Sequence, residues 1–168
     1  LPQTALGGQI GGDLAFLNED LPEMQNLLGR MALALNTEIN TQHNLGVDQL
    51  GNAGGDFFAP AADAAGLPAA SNTGTAQIHS EVSDLTALMA SDYRVRFEAA
   101  GVSIQRLSDG VSTSFASLPA ELDGLSFQLD AGASAVGDSF LVRPYVNVAR
   151  AMNLAIGSPD RLAAASPV

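Results

Sequence analysis

The stretch of residues 40–58 reads NTQHNLGVDQLGNAGGDFF, and it marks the point where a helix ends and the chain turns back. Helix-forming residues precede it, and its glycines end a helix and turn the chain. We expect Gly46 to be the left-handed residue at the helix C-terminus, with His43 in the last turn near the negative end of the helix dipole. The closing pair, Phe57 and Phe58, is expected to hold the chain against the helix.

An apolar stripe leads into this exit. Its residues recur at alternate spacings of three and four, which is typical of a helix that buries one face. Pro22 is tolerated in the first turn of a helix but not in its interior. The sequence therefore predicts a short helix over residues 14–20 and a long one over 22–43, with Asp20 as the cap. The apolar stripe comprises Leu14, Leu17, Leu21, Met24, Leu28, Met31 and Leu35.

The apolar stripe needs a neighbour, because a helix cannot bury its apolar face alone. That neighbour is either a sheet of this chain or a helix that lies outside it. We predict that Leu28→Asp or Met31→Asp lowers the melting temperature sharply, since each change would bury an unpaired charge. No loss of stability would mean that the stripe is exposed.

The second half of the sequence has the period of strands. Residues 59–75 are rich in Ala, Pro, Gly, Ser and Asn, which predicts a linker or an extended connection and not a core element. Alternating apolar residues at 93–97 and 102–104, on either side of a turn at 99–101, predict a hairpin. Further strands are predicted at 125–129, 140–142 and 152–156, with a weaker candidate at 76–82, and residues 158–160 resemble a helix start.

These elements predict an α+β fold, in which a long N-terminal helical segment is followed by an antiparallel β-rich sandwich or open-barrel domain. A parallel sheet is disfavoured because few gaps between the strands could hold a crossover helix. The predicted organisation is a helical segment over 1–45, a glycine-rich exit and linker over 46–75, and a β-rich domain over 76–168.

The composition argues against several functions. The net charge is −11 and all seven basic residues are arginine, so the surface would repel a nucleic acid. There is no apolar run of membrane-spanning length, which predicts no membrane partner. With two histidines, no cysteine and no lysine, the sequence offers no convergent set of titratable groups. We therefore predict no catalytic residues and no cofactor.

Two short motifs have a functional alternative. Asp48, Asn52 and Asp56 resemble a calcium loop in residue type, but they lack the bidentate Glu that ends such a loop, so they predict a turn and not a metal site. The pair Asp138 and Ser139 has no accompanying histidine to act as a base. It predicts a turn that feeds a strand.

The order of residues at the helix exit resembles the flagellar hook-associated protein 1 family, which carries an Asn, a Gln-His pair, a Gly-x-Asp and a glycine-rich turn closing on two phenylalanines. A second group near the C-terminus resembles the Gly-Asp-x-Phe and Arg-Pro elements of the same family. Gln49 and Leu50 depart from the family pattern. The matching residues are Asn40, Gln42, His43, Gly46, Asp48, Gly51, Gly54, Phe57, Phe58, Gly137, Asp138, Phe140, Arg143 and Pro144.

This resemblance implies a non-catalytic structural component of the bacterial flagellum, at the junction between hook and filament and required for flagellum assembly. The implied location is secreted and extracellular. The implied partners of the full-length form are other copies of itself and the neighbouring flagellar axial proteins, namely the hook protein and a second junction protein. The motif residues would then have structural roles.

The residues alone leave a second function open, an exported β-rich module that binds a ligand or adheres to a surface. The chain begins at Leu1 and ends at Val168, and we expect it to be part of a longer protein. Without the terminal assembly helices that the resemblance implies, it is expected to be monomeric or weakly self-associating.

Overall fold

The computed structural model describes residues 8–166, and the described part begins with one unbroken helical run. The α-helix α1 (Gly8–Ala15) continues through a π-helical turn (Phe16–Asp20) into the long helix α2 (Leu21–Asn44). The wider π turn lies directly before Pro22, where a regular helix would miss a hydrogen bond and crowd the preceding carbonyl. The predicted break and the Asp20 cap are therefore wrong, because the π turn accommodates the proline.

The buried face of α2 is not the apolar stripe. Leu28 is 59% exposed and Met31 is 68% exposed. The prediction that the stripe is buried within this chain is therefore wrong for the described residues. The face that is buried repeats at the same spacing, but with many small and amide side chains, and Asn36, Asn40 and His43 on it bond to loop backbone. The buried residues are Asn26, Gly29, Ala32, Leu33, Asn36, Asn40 and His43.

The strands form two antiparallel sheets, which confirms the predicted α+β fold with antiparallel sheets. The four-stranded sheet has the order β1-β3-β8-β7, and the five-stranded sheet has the order β2-β9-β4-β5-β6. The strands are β1 (Ala64–Ala65), β2 (Leu67–Pro68), β3 (Gln77–Val82), β4 (Tyr93–Glu98), β5 (Gly101–Arg106), β6 (Ser112–Phe115), β7 (Ala120–Leu122), β8 (Leu125–Ala131) and β9 (Ser139–Val142).

The core of the sheets comes from alternating residues. In β4 the residues Tyr93, Val95 and Phe97 are buried while their neighbours are exposed. The Tyr93 ring meets the Phe127 ring of the other sheet edge-on, with centroids 5.4 Å apart. Because aromatic rings from both sheets meet in this way, the two sheets form a sandwich rather than an open barrel.

The last predicted strand is absent from the described residues. Between 152 and 156 the chain makes a single β-bridge, in which Leu154 pairs with Phe58. Its backbone bonds to a loop and not to a strand, with Ala59 N donating to Asn153 O and Ala155 N donating to Phe57 O. The predicted helix start is a single 3₁₀ turn (Pro159–Arg161), and the short helix α3 (Val148–Ala151) precedes this region.

The described residues fall into two compact units. The first combines 8–28 with 63–146 and holds both sheets, and the second combines 29–62 with 147–166. The predicted boundaries at 45 and 75 stay predictions about the organisation of the native protein. Among residues 8–166, no helix is both long enough and apolar enough to cross a membrane.

Candidate functional site at the helix exit

The end of α2 and the loop that follows it form a polar cluster, which we call the helix-exit cluster; its side chains are those of Asn36, Asn40, His43 and Asp48. Asn40 is buried, and its Oδ1 accepts hydrogen bonds from Phe57 N at 3.0 Å and Phe58 N at 2.8 Å. Its Nδ2 donates to Phe58 O at 2.9 Å. One amide therefore pairs with three backbone groups of the returning loop.

Asn36 extends this pairing one helical turn earlier. Its Nδ2 donates to Ala59 O at 2.9 Å, and its Oδ1 accepts from Asn40 Nδ2 at 3.3 Å. Residues four apart lie on the same face of a helix, so the two amides act together on one stretch of chain. The loop is thus held by side chains of the helix that it leaves.

His43 joins the helix to two separate segments. Nδ1 lies 2.6 Å from Gly55 O, and Nε2 lies 2.9 Å from Ala163 N. A peptide N–H can only donate, so Nε2 is the acceptor and Nδ1 carries the ring proton. The expected role as a dipole partner in the last turn therefore understates this residue, because its ring binds backbone from both sides.

The glycines Gly46 and Gly54 are required by close contact. A Cβ on Gly46 would lie 2.2 Å from Ala163 O, and one on Gly54 would lie 1.9 Å from His43 O. The φ angle of Gly46 is outside the left-handed region, so the expected left-handed helix end is wrong at this position. Gly51 is the residue of this motif with positive φ, at 82°, and it lies in the turn.

Asp48 closes that turn. Its Oδ1 accepts from Leu50 N at 2.9 Å and Asn52 N at 2.8 Å, and Arg161 Nη1 lies 3.5 Å from its Oδ2. The hydrogen bond from Asn52 N, together with those from the Asn52 side chain and Leu50 N, lowers the pKa of Asp48. The carboxylate is thereby committed to the turn. Asp56 bonds elsewhere, to Asn44 Nδ2, so these residues do not converge as calcium ligands would.

The two phenylalanines complete the cluster with their rings. Phe57 packs edge-on against His43 with centroids 5.5 Å apart, and against Phe58 at 4.8 Å. Both rings are half-buried, and Gln42 is exposed on the neighbouring face of the helix. The loop is thus held to the helix by Asn40 at the backbone and by ring contacts at the side chains.

The second motif lies in the other unit, at the start of β9. Gly137 has a φ of 99°, and the buried Asp138 accepts hydrogen bonds from Ala135 N and Thr73 N, both at 2.8 Å. These backbone donors, the Ala135 one first, lower the pKa of Asp138. The carboxylate therefore binds two loops together.

The remaining residues of this motif serve the strand and its end. Phe140 is buried on β9, where it packs edge-on against Phe97 at 6.0 Å. Arg143 Nε donates to Asp92 Oδ2 at 3.0 Å, and Pro144 follows the strand as expected. These contacts position the strand end.

Two residues that take part in this site were not predicted from the sequence: Asn36 of the helix-exit cluster, and Ala163, whose backbone contacts the cluster. Asn36 precedes Asn40 by four residues, and that spacing was a usable signal for a second amide on the same face. Ala163 carries no such signal, because it takes part only through its backbone N–H and its position against Gly46. A backbone partner this distant in sequence leaves no residue pattern to read.

In the helix-exit cluster, two side-chain amides, an imidazole and a carboxylate form hydrogen bonds with backbone groups of the loop. The apolar stripe of α2 lies beside this cluster and is the surface that a partner could contact. Along α2 this stripe is open to solvent, with Met24 60%, Leu28 59%, Met31 68% and Leu35 51% exposed. Contiguous apolar exposure of this kind marks an interaction surface.

Two family models match the chain, one for each part of the fold. The model described as "Flagellar hook-associated protein FlgK helical domain" matches residues 1–58. The model described as "Flagellar hook-associated protein 1, D2-like domain" matches residues 67–144. The fold and the two matches together indicate a structural protein of the flagellar axis, built from a helical domain and a β-sandwich.

Relatives and a solved structure agree with this. The chain is 35% identical to flagellar hook-associated protein 1 of Escherichia coli and 32% identical to that of Salmonella typhimurium, over 99% of the chain in each case. The structure of the flagellar hook junction protein FlgK from Burkholderia pseudomallei superposes with a TM-score of 0.85 at 34% identity and also covers 99% of the chain. The chain belongs to the flagellar hook-associated protein 1 family. It spans 31% of the length of each of these relatives.

Proposed function

We propose that this chain is a structural segment of the junction between hook and filament of the bacterial flagellum, and that it acts outside the cell. The observation that carries the proposal is the exposed apolar stripe of α2. The helix is already fixed on its polar face by the helix-exit cluster, so its apolar face is presented in one defined orientation. The chain spans 31% of the length of its relatives, and we propose that a neighbouring subunit of the assembly covers this face.

The proposed role is non-catalytic and needs no cofactor. The motif residues support this, because their polar atoms bind backbone of the chain itself: Asn40 binds Phe57 and Phe58, and Asp138 binds Thr73 and Ala135. Their proposed function is to hold the helix exit and the start of β9 in one shape. In a repeating assembly every subunit must have the same conformation, because every contact between subunits is the same.

The proposed partners are other copies of the same protein and the neighbouring axial proteins of the flagellum, the hook protein and the second junction protein. Head-to-tail contacts between copies close into a ring when the rotation between subunits permits it. An apolar face on a rigid helix suits such contacts, because burying it costs little conformational entropy. The net charge of −11 argues against a nucleic acid as a partner.

The test uses the full-length protein in a flagellated bacterium that lacks its own copy. Leu28→Asp and Met31→Asp together should leave the protein folded and exported but reduce the number of filaments by roughly tenfold or more, because each buried charge weakens a contact by more than 1.4 kcal/mol. Thr41→Asp adds one negative charge at an exposed position of α2 outside the apolar stripe, and should support normal assembly. Filament number by electron microscopy is the readout. Normal filaments in the double variant would contradict the proposal.

A further inference from the structure

A group of metal-binding side chains lies on the outer face of the four-stranded sheet, away from the motifs described above. Asp63 directly precedes the edge strand β1, and His79 and Glu81 lie on the neighbouring strand β3. One possible ligand atom from each of the three lies within 4.8 Å of the other two. This grouping involves neither the helix-exit cluster nor the apolar stripe.

The sheet register explains why the three meet. β1 pairs antiparallel with β3, with Ala64 opposite Ser80 and Ala65 opposite His79, so one further step places Asp63 opposite Glu81. His79 and Glu81 are two residues apart on one strand and therefore share a face. Ile78 and Ser80 of the same strand are buried, so that shared face is the outer one.

The ligands are held from behind by the next strand, β8. Asp130 Oδ1 is hydrogen-bonded to His79 Nδ1, which leaves Nε2 as the ring nitrogen available to a cation. Gln128 Nε2 donates to Glu81 Oε1, which leaves the second carboxylate oxygen. Metal-binding histidines are characteristically oriented by a carboxylate on their other nitrogen, and ligating carboxylates are likewise hydrogen-bonded.

Electrostatics adds an independent reason for a cation. Three carboxylates, those of Asp63, Glu81 and Asp130, surround one imidazole, and like charges directly opposite each other across strands are destabilising. The four strands of this sheet contain no arginine, and the chain contains no lysine. The arginines of 63–146 lie on β4 and β5 or just after β9, all in the other sheet or at its end. The negative charge here is therefore not balanced by the strands around it.

We propose that Asp63, His79 and Glu81 bind a divalent first-row transition-metal ion such as Zn²⁺, with water completing its coordination. Mixed imidazole and carboxylate ligands suit such an ion better than Ca²⁺ or Mg²⁺, which prefer oxygen ligands alone. Ligands about 2.1 Å from one ion lie roughly 3 to 4 Å apart, so small side-chain rotations close the shell. The ion would fasten the two-residue edge strand β1 to β3.

The first test is a calorimetric titration of the metal-stripped 168-residue chain with ZnCl₂, followed in parallel by NMR of the histidine rings. The chain has two histidines, so the result is easily assigned. One equivalent of Zn²⁺ should shift the His79 ring signals and leave those of His43 unchanged. Zn²⁺ should also raise the melting temperature, because it binds the folded chain. A titration with no saturable step, or one that shifts His43 instead, would overturn the proposal.

Variants separate this site from general attraction to an acidic protein. His79→Gln and Glu81→Gln should each weaken Zn²⁺ binding by at least tenfold, and Asp130→Asn by about 10- to 100-fold through the orienting bond. Glu98→Gln removes the same charge from an exposed position on β4 and should leave the affinity unchanged. Circular dichroism checks that each variant is folded. Equal weakening by Glu81→Gln and Glu98→Gln, or Ca²⁺ binding as tight as Zn²⁺ binding and indifferent to His79→Gln, would show a nonspecific acidic surface and overturn the proposal.

Discussion

At the end of α2, the Asn40 side chain satisfies three backbone groups of the returning loop. Asn40→Ala removes the acceptor for Phe57 N and Phe58 N and the donor to Phe58 O. Leaving part-buried backbone groups unpaired should lower the free energy of unfolding by about 1 to 3 kcal/mol, as measured by urea denaturation. Asn44→Ala removes an exposed amide one turn later, whose partner is Asp56, and should cost within about 0.5 kcal/mol. Equal losses would mean that the Asn40 bonds add nothing.

The adjacent loop glycines Gly54 and Gly55 should differ in how well each tolerates a side chain. A Cβ on Gly54 would lie 1.9 Å from His43 O, whereas Gly55 has open space at that position. Gly54→Ala should therefore lower the free energy of unfolding by about 1 to 3 kcal/mol through overpacking. Gly55→Ala should be neutral or slightly stabilising, because it only restricts the unfolded chain. A neutral Gly54→Ala would show that the loop can move away from the helix at little cost.

The ionisation of Asp138 should make the stability of the folded chain depend on pH. Hydrogen bonds from backbone N–H groups lower its pKa in the folded chain below the ordinary value of 3.8. The stability from this ionised carboxylate is fully present above pH 3.8 and is lost as the pH falls through the lower, folded pKa. Asp138→Asn should therefore cost more stability at pH 7 than at pH 3. Urea denaturation at both pH values measures the difference, and an equal cost at both would contradict the assignment.

The two faces of α2 should respond differently to an added charge, because one face is buried and the other is exposed. Leu33 is 5% exposed and Met31 is 68% exposed, although they are two residues apart. Leu33→Asp should cost roughly 3 kcal/mol or more because it buries a charge, whereas Met31→Asp should cost less than about 1 kcal/mol in this chain. Thermal unfolding of both variants decides between the faces. A large loss from Met31→Asp would show that the apolar stripe is covered within the chain after all.

The elements also show what a sequence can and cannot predict. The hairpin of β4 and β5 was predictable because alternation between Tyr93 and Phe97 leaves one sheet face apolar. The same alternation at 152–156 misled, because a strand also needs a partner edge and this segment bonds to the loop at Phe58 instead. The stripe of α2 was read correctly as a helical pattern, but a periodicity does not say which molecule covers it.

Part of the candidate site was also predictable from the sequence. The glycines and the phenylalanine pair mark a turn that returns to the helix, and the structure has such a turn. The reason for Gly46 was not predictable, because the obstacle to a side chain is the carbonyl of Ala163, far along the chain. Likewise, Asp63 meets His79 and Glu81 only through the pairing of β1 with β3, and a two-residue strand has no sequence signature.

At the scale of the whole molecule, charge and apolar surface oppose each other. The net charge of −11 repels like copies, while the apolar stripe attracts them. We therefore expect the 168-residue chain to be monomeric or weakly associated at ~100 μM in 0.1 M salt, and to associate more strongly in 1 M salt, where the screening length falls from about 10 Å to about 3 Å. Met31→Asp should abolish the salt-induced association and Thr41→Asp should not. Sedimentation velocity measures both effects. A tight oligomer at low salt, or salt-induced association that survives Met31→Asp, would show that another surface joins the copies.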